Sequence, residues 1–299
     1  MCGIFTVYDS KYRWNSLVDS FNKISYRGPD SSNYLNINNK TIMGFHRLAI
    51  MGISDSGNQP MKHPNDKSLT LMCNGEIYNY KSLAQKYNFN VSTGSDCEVI
   101  LLLFKEIGIE KTIDQLDGVF MFTIYDEIND ILYAGRDPMG VRPGFFSSTD
   151  NGIFISSEVK SLINFSKDIA PFPPGSWWSS DKPDKFERYF YYDSNKPTLD
   201  TENEILKNIK SLLTEAVVKR LMSEREIGCL LSGGLDSSLI SSIVSKNYNG
   251  KKLNTFSIGI KGSIDLEYAQ VVADFIQSNH HNIQVHERDF LDAIETVIY

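Results

Sequence analysis

The chain has 299 residues, 41% of them hydrophobic and 22% charged, which is more than one typical core needs and far from the composition of a disordered chain. Thirty basic residues stand against 37 acidic ones for a net charge of -7, with no basic block to follow a phosphate backbone, so nucleic acid is not expected as a partner. The four cysteines lack C-x-x-C spacing, no apolar run is long enough for a membrane span, and no secretory leader fits, so the expectation is a cytosolic (cytoplasmic) protein without a zinc or disulfide framework.

The chain begins Met1-Cys2-Gly3-Ile4-Phe5. Removal of Met1 would leave Cys2 with an α-amine and a thiol on one residue. An amine titrating near about 7.7–8.0 can take the proton of a thiol titrating near about 8.5 without a histidine. The structural alternative is a small buried residue opening a strand. Strands are expected at Ile4 to Tyr8, Thr41 to Ile50, Leu69 to Cys73, Val119 to Asp126, Ile131 to Ala134 and Ile153 to Ser156, all short runs rich in β-branched and aromatic residues. Helical spacing of apolar residues predicts helices at Leu17 to Ile24, Lys81 to Tyr87, Asp96 to Ile107 and Glu158 to Phe165. Runs of strands with helices between them predict an α+β layered domain.

From Pro171 to about Thr201 the composition shifts toward Pro, Ser, Trp, Tyr, Asp and Lys, which predicts a packed-down connector and a domain boundary. Beyond it, Ile205 to Leu221 forms an amphipathic pattern. Ile227 to Leu231 and Thr255 to Ile260 read as buried strands, and Leu239 to Val244 and Leu266 to Ile276 as helices, the order of a parallel α/β sheet. Asp289 to Tyr299 reads as a last amphipathic helix whose apolar side has nothing in the chain to cover it.

Between the first of these strands and its helix lies Ser232-Gly233-Gly234-Leu235-Asp236-Ser237-Ser238. Backbone N–H groups and a helix N-terminus converge at such a place, and two glycines let the backbone approach a phosphate. The loop lacks the lysine of a Walker A sequence, and Asp236 would hold a Mg²⁺ accompanying the phosphates. A serine-capped glycine turn is the structural alternative.

This loop, together with the M-C-G-I start, resembles the glutamine-hydrolysing asparagine synthetase family. In that family a class II, N-terminal-nucleophile glutamine amidotransferase domain precedes an N-type ATP pyrophosphatase domain. Arg27-Gly28-Pro29-Asp30, Phe45 to Ile50, Asn74 to Asn79, Thr93 to Asp96 and Gly135-Arg136-Asp137 match as well. The resemblance implies an αββα sandwich over residues 2–190, then an α/β parallel-sheet domain over residues 203–299, incomplete at its C-terminus. It implies that Cys2 attacks the glutamine amide, with Asn74 and Gly75 stabilising the oxyanion. Arg47, with the backbone from Leu48, Ala49 and Ile50 to Met51, would face the substrate carboxylate, and Glu76 and Asp96 its ammonium group. Backbone at Leu231 and Ile258, both at carboxyl ends of strands, would hold adenine, and Ser232 to Ser238 the pyrophosphate. ATP would activate aspartate, and ammonia passed from the first domain would convert it to asparagine. Arg27 and the Arg136-Asp137 segment would support the architecture.

Family members carry a second phosphate loop, S-G-E-G-S-D-E, which does not occur here, so a truncated synthetase domain, or one completed by a partner chain or in a homodimer, is expected. Met51-Gly52, Gly144, Ile264 and Asn282 also depart from the family pattern, away from the nucleophile and its donors. His280 and His281 read as loop or strand-end residues. A stand-alone glutaminase and a non-catalytic binding scaffold remain the alternatives.

Overall fold

The computed structural model describes residues 1–192, 197–250 and 252–299. They divide into two units, Met1–Asn195 and Lys196–Tyr299.

In the first unit the strands are β1 (Gly3–Tyr8), β2 (Ser31–Asn36), β3 (Ile42–Arg47), β4 (Met61–Lys62), β5 (Leu69–Ile77), β6 (Gly118–Asp126), β7 (Ile131–Arg136), β8 (Phe145–Thr149), β9 (Gly152–Ser156), β10 (Ala170–Pro171), β11 (Ser176–Ser179) and β12 (Glu187–Arg188). The helices are α1 (Trp14–Asn22), α2 (Tyr80–Tyr87) and α3 (Glu98–Gln115), the last kinked at Gly108. Two six-stranded sheets form, in the orders β10-β8-β9-β1-β3-β2 and β12-β11-β7-β6-β5-β4.

Three apolar layers hold these elements. Ile4, Met43 and Phe45 of one sheet meet Met72, Met121 and Trp178 of the other between the sheets. Phe5, Val7 and Phe154 point the opposite way and pack under Leu17 and Phe21 of α1. Leu71, Phe120 and Phe122 pack under Ile100 and Leu103 of α3. The result is the αββα sandwich, in which β1 is buried on both faces; its continuous apolar run follows from that. Thr6, the polar residue within the run, shares a hydrogen bond with Thr123 at 3.0 Å.

Several segments differ from the sequence expectation. Glu158 to Phe165 makes only a 3-10 turn at Val159–Ser161, because Ser161 Oγ bonds the Ser156 hydroxyl and the Glu158 carbonyl and so competes with helix propagation. The stretch expected as a connector contributes β10, β11 and β12, and Trp177 and Trp178 are buried in the second sheet. β5 runs past the expected Leu69 to Cys73, through Asn74-Gly75 to Ile77.

In the second unit β13 (Gly228–Leu230), β14 (Asn254–Ile260) and β15 (Asn279–Val285) form a parallel sheet in that order. With them go α4 (Glu202–Lys219), α5 (Leu235–Asn247), α6 (Ile264–Phe275) and α7 (Glu287–Ile298). Thr201 opens α4 with a capping box to Glu204. The strands expected to be buried are buried on one face only: Thr255, Ser257 and Gly259 are covered, whereas Leu230 is 84% and Ile258 59% exposed. Close packing of α6 explains the small residues on the covered face, since a Cβ at Gly259 would meet Leu266 at 3.0 Å. β15 takes in His280, whose ring nitrogens bond Thr255 and Ser257 at 2.9 and 3.1 Å. Among the described residues no helix is long and apolar enough to cross a membrane.

Candidate functional site

A cleft in the first unit opens where the start of β1, the end of β3 and the second half of β5 meet. Cys2, Arg47, Leu48, Ile50, Met51, Asn74, Gly75, Glu76 and Asp96 all line it. Cys2 Sγ accepts the Leu48 N–H at 3.3 Å and lies 3.5 Å from the Leu48 carbonyl. Burial pushes the Cys2 thiol up from its ordinary value, against the pull of the Leu48 contact and the adjacent ammonium. Burial likewise lowers the Met1 α-amine, and the charges of Arg27 and Arg142 lower it too. The Met1 amine is thus biased toward its neutral form beside a thiol that holds its proton.

Strand alternation aims the next groups. Cys73 pairs its N–H with Gln59 Oε1 at 2.6 Å and its carbonyl with Gln59 Nε2 at 3.3 Å, on the side away from β6. Ile77, four residues on, gives its N–H to Asp96 Oδ2 at 2.6 Å on the same side. Gly75 lies midway, so its backbone N–H shares that edge and faces the cleft. A Cβ at Gly75 would lie 2.4 Å from the Val119 carbonyl oxygen, so only glycine fits against β6. Asn74 is buried, and its side-chain Nδ2 has no hydrogen-bond partner among the described residues. Two N–H donors therefore face the cleft that Cys2 lines, the arrangement an oxyanion requires.

The charged wall is more specialised than the sequence implies. Asp96 is desolvated, and burial first and the Glu76 charge second raise its carboxyl to about 6. Glu76 is paired with Arg142 at 3.2 Å. Arg47 spends its guanidinium on its own loop, donating to the carbonyls of Ser54 at 2.9 Å, Met51 at 3.3 Å and Gly52, and to Asn58 Oδ1 at 2.8 Å. Ala49 does not line the cleft; its N–H goes to Asp30 Oδ2 at 2.7 Å, so it braces the loop behind Cys2.

Two polar side chains lining the cleft escaped the sequence reading. Gln59 acts as an extra strand rung through its side chain. Arg142 is presented by Asp137, whose carboxylate accepts N–H bonds from Phe120, Met139, Val141 and Arg142, while Arg136 donates to the carbonyls of Gly140, Arg142 and Phe172. The string from Arg136 to Arg142 was the signal available.

In the second unit the glycine-rich loop joins β13 to α5. Gly233 has φ +79°, and a Cβ there would stand 2.5 Å from the Ala269 nitrogen. The hydroxyls of Ser232 and Ser237 bond each other at 3.0 Å, and Ser238 donates to the Gly234 carbonyl at 2.7 Å. Leu235 is exposed, and Asp236 is exposed in the first turn of α5. Leu231 gives its N–H to the Phe256 carbonyl at 2.7 Å. Ile258 is the fifth of seven residues in β14 and not its carboxyl end, but β13 pairs only with Asn254 to Phe256. The Ile258 backbone therefore faces the space beyond β13, on the edge it shares with Phe256. Among the described residues no cluster of three or more His, Cys, Asp or Glu is placed to hold a metal ion. The single carboxylate of Asp236 would need phosphate oxygens as further ligands before it could hold a cation.

Residues 1–219 match the family model described as a glutamine amidotransferase domain, and residues 208–299 match asparagine synthase. The curated asparagine synthetase (glutamine-hydrolyzing) of Mus musculus is 38% identical over 331 aligned positions, covering 100% of this chain and 59% of the relative. The Homo sapiens protein of that name is 37% identical with the same coverage, and asparagine synthetase (glutamine-hydrolyzing) 2 of Arabidopsis thaliana is 36% identical, covering 53% of the relative. The chain thus spans somewhat more than half the length of these relatives. A solved glutamine phosphoribosylpyrophosphate amidotransferase from B. subtilis has a TM-score of 0.55 at 14% identity, over 94% of this chain and 81% of that one, which is a likeness of fold.

Proposed function

The chain belongs to the glutamine amidotransferase family, and from that premise we propose that its first unit hydrolyses glutamine at Cys2 and that its second binds ATP for the synthesis of asparagine. The observation that carries the reading is Asn74 Nδ2, buried in the cleft lined by Cys2 with no partner among the described residues. An unmet buried donor costs about 1–3 kcal/mol, a cost that a substrate oxygen would offset.

In this mechanism Met1 is removed, and the α-amine of Cys2 takes the thiol proton directly or through water. Sγ attacks the amide carbon, and the oxygen gains negative charge between Asn74 Nδ2 and the Gly75 N–H. As the α-ammonium returns its proton to the departing nitrogen, collapse of the tetrahedral species expels ammonia and leaves a thioester, which water hydrolyses to glutamate and the free thiol. The desolvated Asp96 carboxylate draws the substrate ammonium, and Glu76 adds charge on the same wall. Arg47 would meet the carboxylate by exchanging one of its loop carbonyls.

In the second unit Leu231 and Ile258 would flank adenine, and Ser232 to Ser238 with the N-terminus of α5 would take the phosphates, Asp236 holding a Mg²⁺ that screens their charge. Aspartate activated by ATP would accept ammonia, giving asparagine, AMP and pyrophosphate. The four free thiols accord with a reducing, cytoplasmic setting. The exposed Phe256, Ile258 and Ile260 support a second copy or a partner chain covering that face, and light scattering across the micromolar range would separate these.

Supplying glutamine with and without aspartate and Mg-ATP, and quantifying glutamate, pyrophosphate and asparagine, tests the proposal. Glutamate is expected from the first unit, and pyrophosphate and asparagine where the synthetase domain is completed by a second copy or a partner chain. Glutamate alone would restrict the function to a glutaminase, and the absence of every product would refute both activities.

A further inference from the structure

Behind the cleft, the start of β1 is held by groups that the mechanism above leaves unused. Arg27, buried, donates Nε–H to the Cys2 carbonyl at 2.9 Å and NH1 to Glu158 Oε1 at 2.7 Å. Glu158 is itself held from two further sides, by the Tyr26 hydroxyl and by Lys160 Nζ, 3.3 Å from Oε2. The residues just before it grip the same strand: Ile4 N–H donates to Ser157 Oγ at 3.0 Å, and Ser157 N–H and Ser156 Oγ both donate to the Ile4 carbonyl at 3.1 Å. One segment, 156–158, therefore fixes β1 at two places, Ile4 directly and Cys2 through Arg27.

We propose that Glu158 is a positioning residue for glutamine hydrolysis: it orients Arg27 onto the Cys2 carbonyl and so sets where the thiol and the α-amine stand relative to Leu48 and Asn74. The proposal rests on Cys2 being the nucleophile. A carbonyl one bond from the Cys2 Cα fixes the direction in which both reacting groups project, and misplacement by about 1 Å can cost on the order of 100-fold in rate. Glu158 is suited to the task because it stays ionised. Burial works against its charge, but the hydrogen bonds from Tyr26 and Arg27 outweigh burial and hold the carboxyl below its ordinary value. The other charged groups acting on the Cys2 end are the Met1 α-amine, Arg142 and Glu76. Without Glu158 the Arg27 charge would stand uncompensated beside them.

The test uses the full chain with Glu158→Gln, which keeps an acceptor and removes the charge, and Glu158→Asp, which keeps the charge at shorter reach. Three quantities are measured: kcat and KM for glutamate release, the melting temperature, and the pH dependence of iodoacetamide labelling at Cys2, located by peptide mass. Glu158→Gln is expected to lower kcat about 10- to 100-fold with KM within about twofold. It should also move the labelling midpoint to lower pH, because an unneutralised Arg27 favours the thiolate and the neutral amine. Glu158→Asp should recover part of the rate. A folded Glu158→Gln protein with unchanged kcat and labelling profile would overturn the proposal. So would a rate loss matching only the fraction unfolded, with the midpoint unmoved. Cys2→Ala, run in parallel, should release no glutamate; if it does, the nucleophile itself is misassigned, a failure distinct from that of Glu158.

Discussion

The cleft of the first unit and the glycine-rich loop of the second are both assembled for polar ligands, yet they meet their own polar groups in opposite ways. In the cleft, Asn74 Nδ2 and Arg142 Nε are buried without partners among the described residues, and the Asp96 carboxylate is stripped of water. In the loop, Ser232, Ser237 and Ser238 bond one another or the Gly234 carbonyl, and Asp236 stands in solvent. The first site holds unmet polar groups whose cost a bound ligand would offset, so its chemistry is visible without the ligand. The second can be recognised only from its backbone, by Gly233 at φ +79° and by the helix start that follows it.

If that contrast is right, substitutions in the cleft should act on catalysis out of proportion to stability. The largest effect after loss of the nucleophile belongs to Asn74→Ala, expected to lower kcat for glutamate release by about 100- to 1,000-fold while leaving the fold intact by circular dichroism. A loss in KM alone would mean that Asn74 binds substrate and does not face the oxyanion.

Asp96→Asn sharpens the comparison further, because function and stability should move in opposite directions. The unfolded carboxyl ionises near 3.8 and the folded one near about 6, so the native state binds more protons between those values. Stability therefore falls as pH rises from about 4 to about 6, and the penalty is complete above that window. Asp96→Asn should raise stability at pH 7 by roughly 1–3 kcal/mol, with the gain vanishing near pH 4. At the same time KM for glutamine should rise by about tenfold or more, as it should for the parent protein when pH drops below about 6. Thermal melts and glutaminase kinetics across pH 4–8 read both.

Gly233→Ala gives the smallest effect on the cleft and probes the loop. Its Cβ would collide with the backbone of α6 and its φ is strained for alanine, so the second unit should lose about 1–3 kcal/mol and ATP-dependent pyrophosphate release, with glutamate release unchanged within twofold. Loss of both activities together would show that the two units do not act separately.

The same contrast explains what could be read from the sequence. β1, β6 and the first half of β5 announce themselves because they lie between two packed layers and are dominated by apolar residues. Asn279–Val285 does not, since Asn, His, His, Asn and Gln carry no apolar alternation; it is a strand because all seven residues pair with β14. Cys2, Asn74, Gly75 and Asp96 stand within recognisable strings and meet in the cleft. Gln59 and Arg142 arrive there by routes that spacing does not encode, one through a side chain that imitates backbone and the other through a loop folded around Asp137. Ala49 shows the reverse, a residue within a matching string whose N–H braces Asp30 instead of facing the cleft.

The central claim is that Cys2, with its own freed amine, is the nucleophile. Treating the purified chain with a glutamine analogue bearing a γ-diazoketone, and then measuring intact and peptide masses, tests it most directly. The account predicts one adduct per chain, on the sulfur of Cys2, in molecules that have lost Met1, with glutamate release falling in step with labelling. An adduct on another residue, or full activity in chains that retain Met1, would contradict it.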